Sequence, residues 1–351
     1  MKIKKLIQHL ESIAPSNYQE SYDNSGLIVG NKETEIKGVL ICLDSTEAVV
    51  EEAIKKNCNV IVAHHPIVFG GLKKINGKNY VERVVIKAIQ NNIAIYAIHT
   101  NLDNVYYNGV NTRIAEKLEL INTEILVPKN KLKKLYTFVP PSFSDQVRQA
   151  LFRASAGKTD GMDQLSYSSL GMTTQDGEGE AAVKVEVIFS SGHERNVIKA
   201  LEDSHPYLNP RYDIITVENS HSEVGSGMIG ELEESIAEKA FLKSVKKSMQ
   251  ASCIRHTKLR NRRVRKVAVC GGSGSFLLRA AMAKKADVFI TADFKYHEFF
   301  DADRKIVIAD IGHYESEQFT IKLLHEIITD KFSNFAAYCT EVNTNPINYL
   351  Y

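Results

Sequence analysis

The sequence predicts an α/β protein: two related α/β halves forming one domain, with a ferredoxin-like α+β domain inserted into it. Three observations carry that expectation. The first and last thirds alternate continuous Val/Ile-rich runs with segments of helical periodicity, the pattern of a parallel sheet covered on both faces. The middle third reads instead as βαββαβ, the ferredoxin-like order. Finally, NVIVAHHPIVF (59–69) and DVFITADFKYHEFF (287–300) occupy comparable places in the two outer thirds.

Taken in order, MKIKKLIQHLESIAPS places Ile3, Leu6, Ile7, Leu10 and Ile13 at helical spacing, which predicts an amphipathic helix and not a signal peptide. IKGVLICLD (36–44) reads as a strand. STEAVVEEAIKKN follows as a helix with Ser45 or Thr46 as its N-cap. NVIVAH (59–64) and IAIYAIH (93–99) are buried strands separated by the helix YVERVVIKAIQNN, and NGVNTRIAEKLEL is a further helix.

In the middle, KLKKLYTFVP (131–140) is a strand, FSDQVRQALFRAS a helix, and QLSYSSLGMTTQ and AAVKVEVIFSS are strands around a loop at Asp176–Glu180. ERNVIKALEDSH is a helix and YDIITVE (212–218) a strand. The expected boundaries are 1–130 and 222–351 for the α/β domain and 131–221 for the insert. Glycines 225, 227 and 230 mark the return, followed by a helix over ELEESIAEKAFLKSVKKSM. RKVAVC (265–270), ADVFITA (286–292) and KIVIADI (305–311) are strands, with a helix LLRAAMAKK after the first and a short helix near Tyr296–Phe300 after the second. A long helix is expected from about His313 to Lys331, then a last strand NFAAYCT (334–340).

A chain of 351 residues suggests about two domains. Apolar residues at 44% and charged residues at 25% are ordinary for a globular chain and exclude wholesale disorder. A net charge of +2, from 44 basic and 42 acidic residues, gives no global field toward nucleic acid or membrane. The five cysteines are scattered and form no C-x-x-C pair, which argues against disulfides or a thiolate zinc site. With no apolar run of about 18 residues, a soluble cytoplasmic protein is expected.

Polar side chains collect at the carboxyl ends of the expected strands, the edge where open α/β sheets bind ligands. Asp44 and Thr46 follow the first strand, His64 and His65 the second, and His99, Asn101 and Asp103 the third. Asp293 and His297, then His313 and Glu317, follow strands in the last third. Neighbouring residues on a strand face opposite sides. His64 and His65 can serve one site only if the strand ends there, as Pro66 suggests. His313 and Glu317 are spaced i, i+4 on a helix start and share a face. Alone, the His-His pair reads as two surface or satisfied histidines, the acids as dipole-favoured first-turn residues, and Asp103 as a turn residue. Together they offer imidazoles and carboxylates without thiolate, which suits zinc, iron, manganese or nickel without selecting among them.

AHHP (63–66), HTNLD (99–103) and GHYESE (312–317) resemble the three metal motifs of the NIF-three-like family, whose YbgI-type members are often labelled type-two GTP cyclohydrolase I homologues. YDNSGLIVG (22–30), LDST (43–46), GMIGEL (227–232) and VAVCGGSGS (267–275) support the likeness. The resemblance implies two divalent metal ions per chain, with His64, His65, Asp103, His313 and Glu317 as ligands and Glu317 bridging. It also implies a homohexameric toroid and a PII- or CutA-like insert. Two positions depart from it: YDN (22–24) stands where many members have WDN, and Ala292 in TADFKYH (291–297) where many have Gly.

GGSGS (271–275) follows a strand and opens a helix, so it is either a tight turn with a serine cap or an anion cradle. It has neither P-loop nor dinucleotide-fold spacing. Arg255–Lys266 carries seven basic residues and no acid, which reads as a solvated loop or as an electropositive rim. The leading expectation is a dinuclear metal-dependent hydrolase, carrying out ring-opening hydrolysis of GTP or hydrolysis of a phosphoester. His297 or His99 would be the acid or base, or would orient ligands. A small phosphorylated or nucleotide-like substrate fits. The alternatives are a non-enzymatic metal-binding or regulatory scaffold, and a nucleic-acid-binding ring.

Overall fold

The computed structural model describes residues 1–350 except 130, 160, 176, 177 and 221. Asp176-Gly177 of the expected loop and His221 therefore lie outside the described residues. Contacts cluster into two compact units, Met1–Val127 with Ser226–Tyr351, and Pro128–Gly225.

Helix α1 (Ile3–Ile13) buries Ile3, Leu6 and Leu10, as its apolar spacing requires. Strands β1 (Gly26–Val29) and β2 (Gly38–Cys42), helix α2 (Glu47–Lys55), β3 (Val60–Ala63), α3 (Tyr80–Gln90) and β4 (Ala94–Ala97) follow. Of the two cap candidates Thr46 caps α2, its hydroxyl accepting from the Val49 amide at 3.3 Å. Helices α4 (His99–Asp103) and α5 (Val110–Lys117) precede β5 (Ile121–Pro128).

The second unit holds β6 (Lys131–Val139), α6 (Ser144–Arg153), β7 (Ser166–Gln175), β8 (Glu178–Ser190), α7 (Glu194–Ser204) and β9 (Tyr212–Ser220). Its antiparallel sheet runs β7-β8-β6-β9, the βαββαβ arrangement in which β8 lies between β6 and β7. Its core gathers Leu135, Val139, Val185 and Phe189 from the sheet and Val147, Leu151, Val197 and Leu201 from the helices.

The chain returns through β10 (Gly225–Ala237), α8 (Glu238–Ser248), β11 (Arg255–His256), β12 (Arg263–Ser273), α9 (Leu278–Ala283), β13 (Val288–Ala292) and β14 (Val307–Asp310). Helices α10 (His313–Glu317) and α11 (Thr320–Lys331) and strand β15 (Ala336–Cys339) complete it. Among the described residues no helix is long and apolar enough to cross a membrane.

Four details differ from the sequence-based expectations. The helix expected from Glu231 starts at Glu238, because Glu231, Ile236 and Ala237 pair antiparallel with Lys266, Val264 and Arg263 of β12. Tertiary pairing overrides local helix propensity there. The long helix from His313 to Lys331 is two helices interrupted at 318–319. The serine cap expected in GGSGS is not made: β12 continues through Gly271-Gly272 to Ser273, and Gly274 precedes the next short turn of helix without a side-chain cap. The sheets are also mixed, since β1 runs antiparallel to β4, β10 to β12 and β11 to β14.

One sheet runs β1-β4-β3-β2-β15 and the other β11-β14-β13-β12-β10-β5. Strands β4, β3, β2 and β15 are mutually parallel, as are β12, β13 and β14. Alternation on the strands assigns each face. Val39, Ile41, Val60 and Val62 join Val267, Val269, Val288 and Ile290 in one shared core with α1, α5, α8 and α11. Leu40, Cys42, Ile61 and Ala63 face α2 and α3, while Ala268, Cys270 and Phe289 face α9. Strands β3 and β13 lead directly into the candidates His64 and Asp293, and Asp44, His99 and His313 follow within three residues of the carboxyl ends of β2, β4 and β14.

Candidate metal centre

Strand β3 ends at Ala63, yet His64 and His65 still donate backbone N–H groups to the carbonyls of Cys42 (3.1 Å) and Leu43 (2.9 Å). That fixes the backbone while releasing the side chains from strict alternation. The two imidazole centroids lie 4.7 Å apart. His65 Nε2 is 3.0 Å from Glu317 Oε2, and His313 Nε2 is 3.1 Å from the same oxygen. His64 Nε2 lies 3.7 Å from the other oxygen, Glu317 Oε1, and 3.5 Å from Asp103 Oδ1. One carboxylate thus divides its oxygens between two imidazole groups. His64, His65 and Glu317 bring ligand atoms within 4.8 Å of one another, and form a cluster able to hold a metal ion.

The outer side of each ring is also held. His65 Nδ1 donates to Asp44 Oδ1 at 2.8 Å, and His313 Nδ1 to Asp293 Oδ2 at 2.6 Å. His99 Nδ1 donates to Asp23 Oδ1 at 2.6 Å. A carboxylate on Nδ1 sets each ring so that Nε2 is its free face, the arrangement usual for imidazole ligands. His99 starts α4 with φ +37°, an uncommon value for a side-chain-bearing residue. It stands edge-on to His64 and His65 with centroids 5.6 and 5.4 Å away.

The electrostatics follow from crowding. Burial lowers His65, but Asp44 and Glu317 outweigh it and hold the imidazole up at about 9. For His313, burial loses in the same way to Glu317 and Asp293, and the group is pushed up to about 11. Burial, then the Glu317 charge, raises Asp103 to about 7. Burial opposes ionisation of Glu317, yet His313 and His64 keep it well below the usual carboxylate range. In His64 burial prevails and the imidazole is lowered. Protons therefore supply the positive charge that balances these carboxylates.

The donor set fits divalent ions on two further observations. His64 is fully buried, and among the described residues neither its ring nitrogens nor the buried Asp103 Oδ1 has a hydrogen-bond partner. Buried polar groups are normally satisfied, so such a concentration at one point calls for a ligand. Gly272, at φ +60°, also leaves room for the carboxylate: a Cβ there would lie 2.5 Å from Glu317 Oε1. GGSGS thus shapes the space around Glu317.

Of the sequence candidates, the structure brings His64, His65, Asp103, His313 and Glu317 together and sets His99 beside them. His297 is exposed against Tyr296 and Phe300. Among the described residues it makes no hydrogen bond or ion pair to the cluster. Ala292 does not prevent Asp293, at φ +58°, from reaching His313. The roles of Asp23 and Thr344 were missed. Asp23 lies in the YDNSG segment, whose pattern was visible but whose partner was not. The basic stretch 255–266 is largely engaged locally. Arg260 is nearly buried and donates to Glu238 Oε1 at 3.1 Å, Arg255 pairs with Asp310, and Arg263 donates to Ser235 Oγ at 2.9 Å.

The Duf34/NIF3 (NGG1p interacting factor 3) family model matches residues 1–346. A Bacillus subtilis relative described as "GTP cyclohydrolase 1 type 2 homolog" is 35% identical over 367 residues, spanning 99% of this chain and 98% of its own. The crystal structure of a Bacillus cereus protein related to NIF3 superposes with a TM-score of 0.85 at 36% identity, covering 100% of this chain and 99% of the other. That of a Staphylococcus aureus protein gives a TM-score of 0.82 at 29% identity, with the same coverage.

Proposed function

The chain belongs to the Duf34/NIF3 family, and on that premise we propose that the cluster is a two-metal centre serving hydrolysis. The observation that carries the reading is the division of Glu317. Its Oε1 faces His64, which itself lies 3.5 Å from Asp103 Oδ1, while its Oε2 faces His65 and His313. One ion would be held by His64, Asp103 and Glu317, the other by His65, His313 and Glu317. The identity is drawn from zinc, iron, manganese and nickel. When bound, such ions supply Lewis acidity that polarises a substrate oxygen and acidifies water near neutral pH.

The remaining work falls to this chain's own groups. Asp44 and Asp293 keep His65 and His313 oriented through Nδ1. Asp23 does the same for His99, which leaves His99 Nε2 as the atom able to hold or move a proton beside the centre. Phe69 stands edge-on to His99 with centroids 5.6 Å apart and with 56% of its surface exposed. It offers a planar substrate ring an apolar contact. A nucleotide-like substrate, as the relatives' description suggests, or a phosphoester fits that combination. A closed homohexamer belongs to the same proposal.

The test is turnover of GTP and of a phosphoester panel by protein loaded with each metal in turn. Turnover that is abolished in Glu317→Gln and retained in His297→Ala supports the reading. Full metal occupancy with no turnover on any substrate would replace it with a metal-binding scaffold. Light scattering at micromolar concentration tests the hexamer, which a clean monomer would refute.

A further inference from the structure

The segment after β15 runs back to the candidate centre and touches Asp44, the carboxylate that holds His65, and α10, which carries His313 and Glu317. Asp44 divides its carboxylate: Oδ1 accepts from His65 Nδ1 at 2.8 Å, and Oδ2 accepts from the Thr344 hydroxyl at 2.8 Å. The next residue, Asn345, donates from Nδ2 to Glu315 Oε1 at 3.1 Å. Glu315 is buried and lies on α10 between His313 and Glu317. Its carboxylate approaches the backbone at Gly312, φ +95°, where a Cβ would lie 2.2 Å from Oε2. Two consecutive side chains thus reach the support of His65 from one side and the helix carrying His313 and Glu317 from the other.

We propose that Thr344 and Asn345 are positioning residues for the metal centre, and that the segment 340–345 is a latch holding Asp44, the support of His65, in register with α10, which carries His313 and Glu317. The inference rests on the metal-centre reading above. Without Thr344, the Asp44 carboxylate is free to rotate about its own bond and His65 loses its fixed ring orientation. Such outer partners typically change metal affinity by about tenfold to a hundredfold. The same segment is anchored away from the site as well. Thr340 donates its hydroxyl to Glu52 Oε2, and the Glu341 amide donates to Glu52 Oε1 at 3.0 Å. That second anchor separates a positioning role from general tethering.

The experiment titrates the full-length metal-free protein with Co(II), reading affinity by competition with a chelator and ligand geometry by visible absorption. Thr344→Val should weaken one of the two ions about tenfold or more and alter the Co(II) spectrum. Thr344→Ser should restore both, and Asn345→Ala should weaken binding in the same direction. Thr340→Val should lower thermal stability while leaving affinity and spectrum as in the wild type. Wild-type affinity and spectrum in Thr344→Val would overturn the proposal, as would an equal loss of affinity in Thr340→Val. Should Thr344→Val fail to fold, Asn345→Ala carries the test, and unchanged affinity in that variant overturns the latch. Absence of Co(II) uptake by the wild type would instead overturn the metal-centre reading itself.

Discussion

Glu317 Oε2 lies 3.0 Å from His65 Nε2, although the two residues are 252 positions apart. The first is carried by α10 and the second by the end of β3, so the contact joins the two α/β halves at one point. Because the other oxygen of Glu317 faces His64, the carboxylate is expected to serve both ions. Glu317→Gln should therefore lose both metals. His64→Ala and Asp103→Asn should each lose mainly one, and His65→Ala and His313→Ala mainly the other. Elemental analysis and anomalous scattering on metal-saturated crystals check this. At most one ion in the wild type, or ions elsewhere, would refute the assignment.

Metal uptake should release protons. His65 is held up at about 9 and His313 at about 11, so at pH 7 both are protonated in the metal-free protein, whereas a ligand imidazole must be neutral. Asp103, raised to about 7, adds a fraction of a proton. Apparent affinity should then rise with pH up to about 11, most steeply below about 7 where all three groups must lose protons. Calorimetry in buffers of different ionisation enthalpy should show at least one proton released per chain. The sign for stability is opposite. The contribution of a raised His65 is complete below the unfolded value of about 6.5 and is lost as pH climbs through about 9. Metal-free protein should lose melting temperature over that range, and metal-loaded protein should not.

The candidate ligands were visible in the sequence where the buried apolar run of β3 stops at His64 and His65, and in the i, i+4 spacing of His313 and Glu317. The partners that orient them were hidden for a plain reason. Asp23 meets His99 across 76 positions and Thr344 meets Asp44 across 300, and no local periodicity encodes such a pairing. The fold was legible wherever burial on one or both faces fixed a period, as in β2, β3 and β13. It was misread where a neighbouring strand decided the conformation. Glu231–Ala237 carries helix-forming residues but is held as strand by β12. Strand β1 is short and half-buried, and pairing with β4 defines it more than its own pattern does.

Gly272→Ala should damage the centre without replacing any candidate ligand. The new Cβ would fall 2.5 Å from Glu317 Oε1 and 3.2 Å from His313 Cε1, in a backbone at φ +60° that disfavours any side chain. The backbone strain alone costs about 1–3 kcal/mol. The variant should melt earlier and bind less metal, and both losses should exceed those of Gly161→Ala. At Gly161 φ is also positive, +75°, but among the described residues nothing lies within 4 Å of an added Cβ. Equal metal content in the two variants would show that Gly272 matters only for its backbone.

The second unit should be removable without loss of the metals. Its exit and return are already joined, since the Lys129 amide donates to the Val224 carbonyl at 2.8 Å, and β5 and β10 are neighbours in the same sheet. An insertion is tolerated where its two ends lie close together, and a short linker can then close the gap. The packing supports separability. Leu135, Val147, Val185 and Leu201 belong to a core of their own. None of the five expected ligands lies between 128 and 225. Replacing residues 130–223 with a short Gly/Ser linker should give a folded protein with the same metal content per chain. If the insert governs access or senses an effector, substrate selectivity should change while metal content stays fixed. A folded truncation that has lost both metals would show that the insert supports the centre directly, and the modular reading would fall.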